Sequence, residues 1–219
     1  MSPYQLVIFD WDGTLMDSEA RIVSCIQAAC RDLGLEVPDA ERAKNVIGLG
    51  LHEACRQILP EAGSDVHLKM SERYRYHFLT ADTTPSQMFE GVEAMLQDLD
   101  SQGHFLAIAT GKGRVGLDAV LKDTGLGSYF HATRCADETA SKPNPQMLHE
   151  LLDYFGLEAG HAIMIGDTEY DLEMARHARM DSLAVSYGVH ETERLLSHGP
   201  LACVDSISEM HQWLCGNAA

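Results

Sequence analysis

Two aspartates one residue apart close an apolar run in Leu6-Val7-Ile8-Phe9-Asp10-Trp11-Asp12-Gly13-Thr14. Neighbouring carboxylates repel one another, a cost normally offset by a cation or by function. Carboxylates so placed can hold a hard cation, attack a phosphoryl group or shuttle protons. Three other segments are rich in candidate groups: Thr110-Gly111-Lys112, Ser141-Lys142-Pro143 and Gly166-Asp167-Thr168-Glu169-Tyr170-Asp171. Together they hold what phosphoryl transfer requires, namely a nucleophile, charge neutralisation on the phosphate oxygens and a proton donor for the leaving oxygen. On this reading Asp10 is the nucleophile and forms an aspartyl-phosphate intermediate, while Asp12 protonates the leaving group and then activates water. Thr110 and the backbone N–H groups near Trp11, Asp12 and Gly111 hold phosphate oxygens, with Lys112 a further candidate contact. Lys142 neutralises charge between Asp10 and the phosphate. Asp167 completes a Mg²⁺ site with Asp10, and Asp171 is either a ligand or a partner of one.

These segments converge only if the chain folds to bring them to one edge. The run 6–9 reads as a buried parallel strand. Ser18 is a candidate N-cap for a helix whose apolar residues Ile22, Val23, Ile26, Cys30 and Leu33 recur at helical spacing up to Gly34. Further helices are expected over 51–59 and 66–79, so that 17–84 reads as almost all helix, with no strand, up to Thr83-Thr84-Pro85-Ser86. From Gly91 the pattern alternates: helix 91–101, strand 105–110, helix 114–123, strand 130–134, helix 144–155, strand 162–165, helix 170–179 and strand 183–186, then weaker elements. Alternating strands and helices predict βαβ units and a doubly wound parallel sheet. The expected fold is α/β, a Rossmann-like parallel core over 1–16 and 85–219 with an all-helical insertion over 17–84. In such sheets polar residues after strands share the carboxyl edge, where ligands bind. An insertion entering there is positioned as a lid.

Composition narrows the partners. The chain has 219 residues, 33 acidic against 16 basic, and a net charge of −17. That balance opposes nucleic acid and anionic membranes, which require a basic footprint. No apolar run approaches the roughly 20 residues of a membrane span. The N-terminal Met1-Ser2-Pro3-Tyr4 lacks the features of a signal peptide, which predicts the cytoplasm. The six cysteines form no Cys-x-x-Cys pair and are expected to be free thiols.

Singly, Thr110-Gly111 could be a turn, Lys142 a surface lysine and Asp171 a carboxylate drawn to a helix start. In this order, the four segments resemble the haloacid dehalogenase superfamily of phosphohydrolases. The helical insertion resembles the small cap of its phosphoglycolate-phosphatase-like branch. The resemblance implies that Asp10 is nucleophile and Asp12 general acid/base. It also implies that Mg²⁺ is held by Asp10, the Asp12 carbonyl and Asp167. Dehalogenase members lack the second aspartate, and phosphonate-cleaving members resemble Asp-Trp-Ala-Gly there, so Asp12 favours ester hydrolysis. Mutase relatives carry a cap histidine where this chain has Ile22. Ile47-Gly48-Leu49-Gly50-Leu51 resembles the substrate-contacting cap loop, which makes Arg42, Lys44 and Asn45 candidates for binding a distal anionic or hydroxyl group. The expected enzyme is a Mg²⁺-dependent phosphatase, a monomer or homodimer, acting on a small phosphate ester such as phosphoglycolate or a sugar phosphate. A sugar-phosphate mutase, or a non-hydrolytic phospho-receiver or binding module, is the alternative.

Overall fold

Leu6–Phe9 forms β1, and all four of its side chains are buried, as a strand covered on both faces requires. The computed structural model describes residues 4–216. After β1 come β2 (Met16–Asp17), α1 (Glu19–Asp32), α2 (Ala40–Lys44), α3 (Leu51–Ile58), α4 (Ser64–Tyr76) and β3 (Gln87–Met88). The alternating part follows: α5 (Val92–Ser101), β4 (Phe105–Thr110), α6 (Arg114–Thr124), β5 (Ala132–Cys135), α7 (Gln146–Phe155) and β6 (Ala162–Gly166). The chain continues through α8 (Glu169–His177), β7 (Asp181–Val185), α9 (Thr192–Leu196), β8 (Cys203–Val204) and α10 (Ile207–Gly216).

Six strands make one sheet in the order β5-β4-β1-β6-β7-β8, and every pairing in it is parallel. The fold is α/β. Alternate side chains of β1 feed two cores: Val7 and Phe9 pack with Leu96, Leu99 and Met210 on one face, Leu6 and Ile8 with Met147, Leu151 and Met174 on the other. Phe9 stands level with Ile108 of β4 and Ile165 of β6. The chain therefore leaves all three central strands at the same height, which places Asp10, Thr110 and Asp167 along one edge.

Helices α1–α4 are inserted between β1 and β4 and share a separate apolar cluster that includes Ile22, Ile26, Ile47, Met70 and Phe78, with Tyr170 of α8 packed into it. Sequence periodicity anticipates α1, α3 and α4 but neither the short α2 nor a strand nearby. In the structure Met16–Asp17 pairs antiparallel with Gln87–Met88 at the two chain crossings beside the helices. Two residues are too few to leave a period-two pattern. The helix expected over 66–79 begins at Ser64, ends as an α-helix at Tyr76 and continues as a wider turn over His77–Ala81. Helix α7 starts only at Gln146, whose N–H donates to the Asn144 side chain. Helix α8 starts at Glu169 behind a capping box in which Thr168 and Asp171 satisfy each other's backbone N–H groups.

Candidate active site

Asp10 follows the central strand directly, and its carboxylate is buried. Lys142, before α7, places Nζ 2.8 Å from Asp10 Oδ1 and 2.6 Å from Asp171 Oδ1, with all three side chains buried. These are close buried ion pairs, and the second Asp10 oxygen, Oδ2, has no partner among the described residues. Burial works against the Lys142 charge, but Asp10 and Asp171 more than reverse this and hold its proton well above the ordinary lysine range. The other Asp171 oxygen, Oδ2, accepts from the Thr168 N–H and, at 2.7 Å, from its hydroxyl. Asp171 thus has one oxygen on the ammonium and the other on the helix start.

Asp167 leaves β6 beside this pair. Thr14 donates to Asp167 Oδ1 at 2.8 Å, and the Val189 N–H donates to Oδ2 at 2.9 Å. Gly13, at φ +84°, lies so close that a Cβ there would overlap the Asp167 carboxylate, so the residue must be glycine for both space and backbone conformation. One oxygen from each of Asp10, Asp167 and Asp171 lies within 4.8 Å of the others. Burial pushes Asp10 up to about 7; Lys142 pulls it down, while Asp171 and Asp12 add to the rise. Asp167 is pushed well above the usual carboxylate range by burial, then by Asp10 and Asp171. Three buried carboxylates against one ammonium leave an excess of negative charge, and Asp10 Oδ2 faces no partner. A hard divalent cation with a preference for oxygen, such as Mg²⁺, fits that charge and donor set. The second cluster of possible ligands, Asp98, His211 and Cys215, is half-exposed. Its groups satisfy one another, since Asp98 Oδ2 lies 2.7 Å from both His211 Nε2 and Gln102 Nε2.

Asp12, two residues after Asp10, has its own partners. The Ser18 hydroxyl donates to its Oδ1 at 2.6 Å, and Lys112 Nζ lies 2.9 Å from its Oδ2. Ser18 does sit at the start of α1 but makes no side-chain capping bond, because its hydroxyl serves Asp12 instead. Lys112 is likewise engaged, with Nζ also 4.2 Å from the centre of the Phe78 ring. Thr110 Oγ1 accepts from the Lys112 N–H at 3.1 Å, and the N–H groups of Trp11, Asp12 and Gly111 find no partner among the described residues. Free donors of this kind beside a buried carboxylate could receive oxyanions. The Trp11 side chain is remote from this role, being buried with its ring set edge-on to Phe130 at 6.3 Å. At Gly111 a Cβ would overlap the carbonyls of Gly48 and Leu49, so the loop between α2 and α3 lies directly on the end of β4. Gly50 N–H fastens that loop to Ser141 Oγ at 2.7 Å.

A cavity of about 350 Å³ opens between Asp10, Asp12 and Thr110 on the sheet edge and helices α1, α3 and α4. Arg42, Lys44 and Asn45 do not line it. Arg42 donates to the Ile58 carbonyl and pairs with Glu36, and Lys44 pairs with Glu19 at 2.8 Å. Asn45 accepts from Arg194 through its side chain and from Tyr170 through its carbonyl. Helix α2 turns these polar groups outward, where they tie the helices to one another and to α8 and α9; proximity in sequence to Gly48 did not mean proximity to the ligand space. Sequence reasoning missed Thr14 and Val189 as Asp167 partners. Thr14 was in view beside Gly13, whereas Val189 acts through its backbone and carries no side-chain signal.

A family model described as haloacid dehalogenase-like hydrolase matches residues 7–185. The chain is 38% identical over 209 residues to a Dickeya dadantii protein named probable phosphatase IndB, covering 94% of this chain and 91% of that one. It is 26% identical over 216 residues to a phosphoglycolate phosphatase of Colwellia psychrerythraea, covering 94% of this chain and 95% of that one. The crystal structure of a predicted phosphatase from Clostridium acetobutylicum superposes with a TM-score of 0.88 at 26% identity, over 97% of this chain and 99% of that chain. Mutual coverage on this scale leaves neither partner with a large unmatched region. The chain belongs to the haloacid dehalogenase-like hydrolase family and is a phosphatase of it.

Proposed function

We propose that the protein is a Mg²⁺-dependent phosphatase that hydrolyses a small phosphorylated metabolite through an aspartyl-phosphate on Asp10. The observation that carries this reading is the unpartnered Asp10 Oδ2 beside a buried ammonium and two further carboxylates, on a sheet edge that also carries the free N–H groups of Trp11, Asp12 and Gly111. Asp10 and Asp167, with the Asp12 carbonyl, would hold the cation, which supplies charge neutralisation on the phosphoryl oxygens when bound. Asp171, whose Oδ1 lies on Lys142 Nζ and whose Oδ2 accepts from Thr168, holds Lys142 in place and is either a further ligand of the cation or a partner of one.

In the first step an Asp10 oxygen attacks phosphorus, the ester P–O bond breaks, and Asp12 delivers a proton to the departing alkoxide. In the second step water attacks phosphorus, Asp12 takes a proton from it, and Asp10 departs as carboxylate with release of inorganic phosphate. Lys142, Thr110 and the N–H groups of Trp11, Asp12 and Gly111 receive the phosphoryl oxygens through both steps. Ser18 and Lys112 hold Asp12 in position. The helical segment 17–84 acts as a cap over the core 1–16 and 85–219 and keeps bulk water from the cavity. Ile22 offers no side chain able to move a proton, which supports hydrolysis over a mutase. The absence of any described helix long and apolar enough to cross a membrane and the six free cysteines support a place in a reducing cytoplasm.

The test is hydrolysis of an aryl phosphate by the purified protein, with Mg²⁺ or with EDTA, beside Asp10→Asn. Metal-dependent phosphate release that is lost in Asp10→Asn supports the reading. Release that survives either EDTA or Asp10→Asn overturns it.

A further inference from the structure

Resting on that phosphatase reading, the cavity names a substrate class different from phosphoglycolate. We propose that the leaving group is an uncharged, apolar body about the size of an aromatic ring, with no second anionic group near the phosphate. A cavity of about 350 Å³ exceeds what a two-carbon acid needs, since about 150 Å³ already accommodates benzene. Its walls are predominantly apolar: Ile22 and Ile26 from α1, Ile47 from the loop before α3, Met70 and Tyr74 from α4, and Phe78 from the turn after it. Tyr74 and Phe78 stack with centroids 5.8 Å apart and planes 23° apart, an aromatic wall suited to a ring.

The charges on the lining oppose a second anion. Lys112, the one buried cation lining it among the described residues, is held by Asp12 at 2.9 Å and lies over the Phe78 ring. Arg75, His52 and Asp137 are exposed and Glu53 is half-buried, so none of the described lining cations besides Lys112 is buried. Arg42 and Lys44, the cations that could have answered a carboxylate, are paired elsewhere. A carboxylate carried two atoms from the phosphate oxygen would be desolvated against aliphatic walls, with no unpaired buried cation among the described lining residues to answer it, which is unfavourable.

The experiment compares kcat/KM of the wild-type protein with Mg²⁺ on benzyl phosphate, ethyl phosphate and 2-phosphoglycolate. All three release alkoxides of broadly similar basicity, so the ranking reads the cavity rather than the chemistry of departure. The expected order is benzyl, then ethyl, then phosphoglycolate, with benzyl phosphate about 100-fold or more above phosphoglycolate, the scale on which apolar pockets discriminate. Phosphoglycolate equal to or above benzyl phosphate overturns the inference and leaves the phosphatase reading standing. Equal values for benzyl and ethyl phosphate also overturn it, because the ring then gains nothing from the walls. Turnover of none of the three, at any Mg²⁺ concentration, overturns both.

Discussion

Replacing Lys142 by methionine keeps most of the side-chain volume and removes the one buried ammonium among the described residues that lies between Asp10 and Asp171. Each contact, at 2.8 and 2.6 Å, corresponds to about 6 kcal/mol of attraction at an effective dielectric of about 20. Desolvation of the ammonium offsets several kcal/mol of that, and deleting one partner of a buried pair typically costs about 3–5 kcal/mol. Without Lys142 the carboxylates relieve the strain by binding protons, so the cost depends on pH. Each additional proton bound by the folded variant lowers the penalty by about 1.4 kcal/mol per pH unit on acidification. Lys142→Met in EDTA at pH 8 should therefore lose about 3–5 kcal/mol in urea unfolding, or roughly 6–20 °C in Tm for a chain of this size. The loss should shrink by about 1.4 kcal/mol at pH 6, because wild-type Asp10 already holds its proton below about 7 and the variant's extra proton counts only above that. A loss below about 1 kcal/mol at pH 8, or one of equal size at pH 6, would refute the reasoning, because it would mean that the carboxylates do not depend on Lys142 for their charge.

Asp12→Ala should cut turnover of an alkyl phosphate by about 10²- to 10⁴-fold while leaving Mg²⁺ affinity largely intact in calorimetric titration; normal turnover contradicts the proton-transfer role. Thr14→Val removes the hydroxyl from Asp167 Oδ1 and should weaken Mg²⁺ binding by about 10- to 100-fold, read in the same titration. The raised Asp10 value fixes the sign of a metal-free pH effect. Folded Asp10 keeps its proton up to about 7 against 3.8 ordinarily, so a stability contribution present at low pH is lost as pH rises through that window. Since Mg²⁺ requires the ionised form, its increment in Tm should be larger at pH 8 than at pH 5.5, and an equal increment would contradict the ligand assignment. Arg42→Ala and Lys44→Ala should leave KM unchanged across a panel of phosphate esters, because neither side chain lines the cavity; a raised KM for either would contradict this placement.

The parallel sheet was legible because its strands are short apolar runs that end at polar residues. Phe9, Ile108 and Ile165 read as strand interiors, and their register then brings Asp10, Thr110 and Asp167 to one edge. Side chains following a strand inherit the order of the sheet, so spacing along the chain is informative about them. The cap residues obey no such rule. Arg42, Lys44 and Asn45 are close in sequence to Gly48, but the facing of a short helix depends on what it packs against, and here they face Ile58, Glu19 and Arg194. The hold of Ser18 and Lys112 on Asp12 was hidden for a related reason. Each residue was visible, but the distance between the end of β4 and the start of α1 is set by the tertiary fold. The apolar wall of the cavity leaves no separate signal in the sequence, because Ile22 and Ile26 show the same helical spacing whether they face one another or a ligand.

The most direct test of the central claim is chemical trapping of the covalent intermediate. The protein is mixed with a substrate ester and Mg²⁺, quenched during turnover and reduced with borohydride, which converts an aspartyl-phosphate to homoserine, and the peptide spanning residues 4–16 is sequenced by mass spectrometry. Homoserine is expected at position 10 and unchanged aspartate at position 12, with no conversion when EDTA replaces Mg²⁺. Conversion at position 12, or steady turnover with no conversion at either position, would contradict that claim.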